Sequence, residues 1–221
     1  SPYATGWSLR PAFAQALGLR ANQKPGVDNE HSGVSAEWNV DLGGATLTSI
    51  TGYDSLTRRE LTDWDASAYV ESDVYFRSHA RSFSEEVRLS SGGAGPWTWV
   101  TGAYFADDRL HEQFNNDFAQ RLGGAARTEY GQSGRTFGLF GDSSWVIADR
   151  LKGNVGVRYT HEERKLEGLS TLFAVGDPPN FADVASAANP GGLTFNLSGG
   201  TQNRALTDSG LSGKAGLEFQ L

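Results

Sequence analysis

The sequence predicts an all-β fold, part of an antiparallel up-and-down transmembrane β-barrel, with about seven strands of a larger barrel present. Three observations predict it. Seven stretches alternate apolar and polar side chains for about ten positions each, the period of a strand with one apolar face. The connections between them alternate between very short and very long, the arrangement of bacterial outer-membrane barrels. Aromatic residues recur near both ends of the stretches, where such barrels carry rings of aromatic side chains at the two water boundaries.

Taken in order, residues 1–30 read as the end of an extracellular loop, with a short helical patch around Pro11 to Leu19, and residues 31–221 as the partial barrel domain. The first strand, Ser32 to Leu42, sets Val34, Ala36, Trp38 and Val40 against Ser35, Glu37, Asn39 and Asp41. Ala45 to Thr57, Ser82 to Ser91, Pro96 to Ala106 and Thr136 to Val146 follow, with Ile50, Val100 and Tyr104 falling on the nominally polar face. Leu151 to Thr160 then alternates Leu151, Gly153, Val155, Val157 and Tyr159 with Lys152, Asn154, Gly156, Arg158 and Thr160. Leu211 to Leu221 is the cleanest stretch, with Lys214, Glu218 and Gln220 on its polar side.

Gly43-Gly44, the cluster Gly92-Gly93-Ala94-Gly95 and Ile147 to Arg150 read as tight reversals, whose glycines are expected to supply positive φ. Arg58 to Arg81, Asp107 to Arg135 and Lys165 to Ser209 read as loops of more than twenty residues each. Loops that long count against a compact soluble domain.

Trp38, Trp97, Trp99 and Trp145 stand near short turns, and Phe105, Phe137 and Tyr159 at the far ends of the same faces. Trp97 to Phe105, Phe137 to Trp145 and Leu151 to Tyr159 are each eight residues apart. At about 3.3 Å per residue and a tilt near 40° that is roughly 20 Å of height, close to the apolar band of a barrel. The competing reading is a sandwich core.

Composition agrees. The 221 residues carry a net charge of -7 and a mean hydropathy of -0.43, and no apolar run approaches the 18 or so residues of a transmembrane helix. The acidic balance and the lack of a basic stripe argue against a nucleic-acid partner. Zero cysteines removes disulfides and thiolate metal sites. No Gly-x-Ser-x-Gly elbow and no His-Glu-x-x-His occurs, so neither catalytic residues nor a cofactor is expected, and a hydrolase on a smaller barrel is remote. Gly191-Gly192 and Gly199-Gly200 lack the strand and helix a phosphate loop needs. His111 beside Glu112, and His161 beside Glu162 and Glu163, alternate across a strand and do not converge on one metal ion. The missing Met and signal peptide make the chain, by expectation, a piece of something longer.

Several stretches resemble the barrel region of TonB-dependent outer-membrane receptors. They are Ala45 to Tyr53 (ATLTSITGY), Phe83 to Ser91 (FSEEVRLSS), Trp99 to Phe105 (WVTGAYF), Phe137 to Gly141 (FGLFG) and Gly156 to Lys165 (GVRYTHEERK). The resemblance covers about His31 to Leu221, with the long loops unmatched. It implies a 22-stranded barrel in the Gram-negative outer membrane, plugged by a separate N-terminal domain through which the TonB energising complex acts. It also implies active import of a scarce small-molecule ligand, often an iron–siderophore chelate.

On this reading outer-membrane lipid bathes the apolar face, while Glu37, Asp41, Arg88, Lys152, Arg158, Lys214 and Glu218 face the lumen. Asp63, Trp64, Asp65, Tyr69 and Tyr75, aromatics among carboxylates in the stretch Leu61 to His79, are the candidate ligand contacts. Trp7 and the group Asp107, Asp108, His111 and Glu112 are weaker candidates. Two other classes fit the pattern, a passive outer-membrane porin and a soluble carbohydrate-binding β-sandwich.

Overall fold

The computed structural model describes residues 7, 9–21, 23–67, 69–93, 95–174, 192–193 and 202–219. One antiparallel sheet holds seven long strands, β1 (Gly26–Asp41), β2 (Ala45–Asp63), β3 (Asp73–Ser91), β4 (Trp97–Phe118), β5 (Gly124–Ala148), β6 (Leu151–Ala174) and β8 (Gln202–Phe219). A two-residue strand, β7 (Gly192–Leu193), touches the tip of β6. Each long strand pairs with the next in sequence, and β8 returns to β6. Among the described residues β1 and β8 pair on one side only, so the sheet is an open section of wall. No described helix is long and apolar enough to cross a membrane.

The turn at the end of β1 is closed by Leu42 N–H donating to Ala45 O and Gly43 N–H donating to Asp41 Oδ1. Gly43 has φ 82°, which the absence of Cβ makes free of strain. It is the only glycine of the expected reversals with positive φ among the described residues. Between β5 and β6 the turn is shorter than expected, Asp149-Arg150, with a register irregularity between Val146 and Ala148.

The strands run well past the loop boundaries expected from the pattern, which is the main correction. β2 and β3 stay paired to Asp63↔Asp73, so only residues 64–72 connect them. β4 and β5 stay paired to Phe118↔Gly124 across the short helix α2 (Ala119–Leu122). β6 runs to Ala174, and β1 begins at Gly26, inside the expected loop, because it pairs with the prolonged β2. Backbone hydrogen bonding can continue where both faces are wet, whereas apolar alternation is needed only where one face is shielded from water. The pattern therefore stops before the ladder does. Residues 175–191, 194–201, Gln220 and Leu221, with the Gly199-Gly200 pair and the end of the last expected strand, lie outside the described residues.

Register settles which residues share a face. Opposed residues of antiparallel strands point the same way, so the row Trp38↔Ser49↔Val87↔Ala103↔Leu139↔Tyr159 belongs to one side. It begins beside the β1 turn and ends at the opposite boundary. Five steps of about 4.8 Å on strands tilted near 40° climb about 15 Å, the stagger a barrel wall requires. On this side Tyr53, Phe83, Phe105, Phe137 and Tyr159 form one aromatic line, all between 38% and 42% exposed, and Trp38, Trp97 and Trp145 form the other. Val155, Val157, Leu211 and Leu217 lie between them, exposed. A continuous apolar face of this extent marks a surface that is covered by something other than water.

A single-layer wall has no core of its own. The buried apolar cluster instead sits at the far end, where α1 (Pro11–Ala16) folds onto Leu61, Tyr75 and Ala125 with Leu9, Phe13 and Ala14. Pro11 in the first helical turn fixes φ where no hydrogen-bond donor is needed. Arg10 locks this segment down by donating from Nε and Nη2 to both oxygens of Asp117, at 2.8 and 3.1 Å.

Candidate functional site

Even-numbered residues of β2 to β5 make up the other face. Two neighbouring register rows there, beyond the aromatic line, carry chemistry. The first is Glu60↔Phe76↔Phe114↔Thr128, the second Arg58↔Ser78↔Glu112↔Tyr130. Trp64, just past β2, leans over the first row. Its ring centroid lies 6.1 Å from Phe76 and 5.7 Å from Phe114, which are 5.1 Å apart from each other.

Polar groups edge this aromatic trio. The Arg58 guanidinium carbon stands 4.3 Å over the Phe76 ring, within cation–π range, while its Nε and Nη2 donate to Glu60 Oε2. Tyr130 Oη and Ser78 Oγ each donate to Glu112, both at 2.8 Å. Burial, then the Glu112 carboxylate, pushes the Tyr130 phenol up to about 12, so it remains a donor at any physiological pH. The arrangement offers planar apolar surface edged by the Arg58–Glu60 ion pair and by a Glu112 carboxylate that already accepts from Tyr130 and Ser78.

Of the candidates read from sequence, Trp64 enters this cluster and is 57% exposed. Tyr69 is exposed on the connector. Tyr75 lies on the opposite face, buried against the α1 cluster, which removes it from the ligand surface. Asp63 and Asp65 cap the connector: Asp63 Oδ1 accepts from Asp65 N–H and Ala66 N–H, and Asp65 accepts from the N–H groups of Ser67, Glu71 and Ser72. Burial raises Asp65, yet its hydrogen bonds from Ser67, Ser72 and Glu71 together bring it below the usual carboxylate range.

Asp63, Asp65 and Asp73 present oxygens within 4.8 Å of one another, an oxygen-only set that suits a hard cation. Asp73 is 2% exposed and its Oδ2 has no hydrogen-bond partner. Burial and the charges of Asp63, Asp65 and Asp117 push it up to about 7. A proton on Asp73 relieves this crowding without any ion.

Trp7 is tied into its own segment by Nε1 donating to Gln23 O, and strand alternation puts Asp107 and Asp108 on opposite faces. His111 lies 3.2 Å from Glu129 and His161 3.6 Å from Glu163. Glu37, Asp41, Arg88, Lys152, Arg158, Lys214 and Glu218 all share the face of the aromatic trio, nearer the short turns.

Comparison with known families decides what kind of wall this is. The family model described as TonB dependent receptor-like, beta-barrel, matches residues 1–221. The chain belongs to the TonB-dependent receptor β-barrel family. Among solved structures it resembles the ferric yersiniabactin uptake receptor FyuA from Yersinia pestis, with a TM-score of 0.68 at 14% identity, over 89% of this chain. At that identity the likeness concerns the fold. The chain spans 27% of the length of that structure. Comparison with curated proteins gives no match.

Within this receptor-family barrel, sequence reasoning missed Arg58, Phe114 and Tyr130 as members of one site. They stand 56 and 16 positions apart in the chain and meet only through cross-strand register. The one signal available was the even spacing of Arg58, Glu60 and Trp64, which no apolar pattern highlighted.

Proposed function

We propose that this chain forms part of the wall and outer mouth of an outer-membrane receptor that imports a scarce small molecule, an iron chelate being the leading class. Its activity is transport, not catalysis. Lipid covers the face of Val157, Leu217 and Trp145, and water and a plug domain occupy the face of Glu37, Asp41, Arg88, Lys152, Arg158, Lys214 and Glu218. The plug passes energy from the TonB complex.

One observation carries the ligand assignment: Trp64, Phe76 and Phe114 pack as tilted rings on the face that also bears Arg88 and Lys152, with Arg58 over one ring. Flat chelates present matching ring faces; with Arg58 already paired to Glu60 and Glu112 alongside, ring contact rather than charge carries the assignment. Trp64 is exposed over the half-buried Phe76 and Phe114, so the trio acts as a first contact, while the wall below is scaffold.

The test is uptake of ferric yersiniabactin, the cargo named for the FyuA neighbour, alongside other ferric chelates, by cells carrying the intact receptor. Trp64→Ala with Phe114→Ala should cut binding of the accepted chelate about tenfold or more while the barrel still assembles. Uptake should stop when the inner-membrane proton gradient is collapsed. Uptake that persists without the gradient supports a passive porin, and chelate binding untouched by both substitutions removes the mouth assignment.

A further inference from the structure

Away from the aromatic trio, three carboxylates stand where β2 ends and β3 begins. Asp63 and Asp73 are directly opposed in register, on the face that carries Leu61 and Tyr75 against α1, and Asp65 follows in the connector. One oxygen from each lies within 4.8 Å of the other two. Like charges directly opposed destabilise a sheet. The charges acting on Asp73 among the described residues are those of Asp63, Asp65 and Asp117, all acidic, and Arg10 donates to both oxygens of Asp117.

Two buried acceptors set this group apart from an ordinary acidic surface. Asp73 is 2% exposed, and its Oδ2 has no hydrogen-bond partner. One register row along, Asn115 is 0% exposed, donates from Nδ2 to Tyr75 O on the strand of Asp73, and leaves Oδ1 without a partner. Unpartnered buried polar atoms are rare. Two on adjacent rows, both acceptors, ask for a positive group at this spot. Asp63 and Asp65 are meanwhile held in place by backbone N–H groups of Asp65, Ala66, Ser67, Glu71 and Ser72, so their carboxylates are oriented in advance, which lowers the ordering cost of binding.

We infer that Asp63, Asp65 and Asp73 bind a divalent hard cation, calcium in preference to magnesium. Calcium takes roughly six to eight oxygens at about 2.3 to 2.6 Å, so ligands on opposite sides of it stand about 4.6 to 5.2 Å apart. Oxygens within 4.8 Å of one another can surround it with little movement. Magnesium needs a near-octahedral set about 4.2 Å across and keeps most of its waters, which suits three protein carboxylates less well. The ion turns the opposed Asp63 and Asp73 from a repelling pair into a clasp at the base of the connector that bears Trp64. Without the ion, a proton on Asp73 relieves part of the same repulsion. The site stands independently of the ligand assigned to the trio.

The experiment uses the intact receptor in detergent micelles, stripped by a chelator and then titrated with calcium or magnesium chloride in a calorimeter. The parent should bind calcium with a Kd of about 0.1 to 1 mM, the range of extracellular sites, and magnesium about tenfold more weakly or worse. Asp63→Asn and Asp65→Asn, which each keep an acceptor oxygen and remove one charge, should weaken calcium about tenfold or more, since affinity follows the charge count of the ligands. Terbium, which takes the place of calcium and emits when excited through a nearby indole, locates the ion. Its calcium-displaceable emission should collapse in Trp64→Phe while calcium affinity is kept. Trp64→Phe alters no carboxylate, so it decides the matter even where an aspartate variant fails to assemble. No saturable calcium binding by the parent, calcium binding untouched by both aspartate variants, magnesium bound as tightly as calcium, or terbium emission unchanged in Trp64→Phe each overturns the proposal. Chelate binding lost with calcium binding intact leaves this site standing and bears on the trio alone.

Discussion

Lys214 on β8 reaches over Gly156 on β6 to set its Nζ 2.7 Å from Asp142 Oδ2 on β5. The three residues occupy one register row, so the pair bridges two strand spacings. A Cβ on Gly156 would stand 2.5 Å from Asp142 Oδ2 and 2.7 Å from Lys214 Cε. The bridge thus depends on the missing side chain. Lys214 is largely exposed, which limits the pair to about 0 to 1 kcal/mol. In a double-mutant cycle of Asp142→Asn and Lys214→Gln, coupling of a few tenths to about 1 kcal/mol is expected with glycine at 156 and none after Gly156→Val. Equal coupling in both backgrounds would refute the bridge.

Val155 sits between the two aromatic lines on the apolar face, opposed by Ala215 and Ser143. Val155→Arg would put a guanidinium in hydrocarbon, at a cost of about 2 to 4 kcal/mol near the midplane. Lys152→Ala, on the water side of the same strand, should change stability by a few tenths of a kcal/mol. Urea unfolding of the intact receptor in bilayers measures both. A Val155→Arg variant as stable as the parent would reverse the faces assigned here.

That contrast also explains what the amino-acid order makes legible. Between the aromatic lines Val155, Val157 and Leu217 on one face alternate with Lys152, Arg158 and Lys214 on the other, and each such strand can be read from its period of two. Beyond Phe83 and Phe105 both sides are wet, so Arg77, Ser78 and His79 show no period of two although they remain paired. Among the described residues the stretches read as loops are therefore mostly ladder. The ligand cluster shares this blindness. Phe76 opposes Phe114 because the short connection between Ser91 and Trp97 sets the β3–β4 register, and nothing local to either phenylalanine announces it. Trp64 was legible as a ligand candidate only because it stands out among carboxylates, and Tyr75, chosen on the same ground, turned out to be packed under α1.

Asp73 predicts a pH dependence. Burial, then Asp63, Asp65 and Asp117, raises its carboxyl from an unfolded value near 3.8 to about 7, so the folded protein holds a proton that the unfolded chain gives up. The stabilising contribution is complete below about pH 3.8 and is lost as pH rises through about 7. Resistance of the outer strand ends to proteolysis should therefore decrease between pH 5 and 8. Asp73→Asn, which keeps the shape without the charge, should flatten that dependence and exceed the parent at pH 8, by up to a few kcal/mol. A variant that tracks the parent across the range would show that Asp73 is ionised throughout.

Trp64 can report on the ligand directly. Its ring is 57% exposed and leans on Phe76 and Phe114, whereas Trp7 is half-buried and bonded through Nε1 to Gln23 O, on the opposite side of the sheet with α1. A chelate resting on the trio must change the surroundings of Trp64 and leave those of Trp7 alone. Fluorescence quenching by an accepted ferric chelate should thus disappear in Trp64→Phe and survive in Trp7→Phe. Phe76→Leu should weaken the quenching by about threefold to tenfold, because it removes the ring under Arg58 and with it a cation–π contact of about 0.5 to 2 kcal/mol that fixes the guanidinium. If Trp7→Phe abolishes the signal and Trp64→Phe does not, the ligand approaches from the α1 side and the lumen-side mouth is wrongly placed.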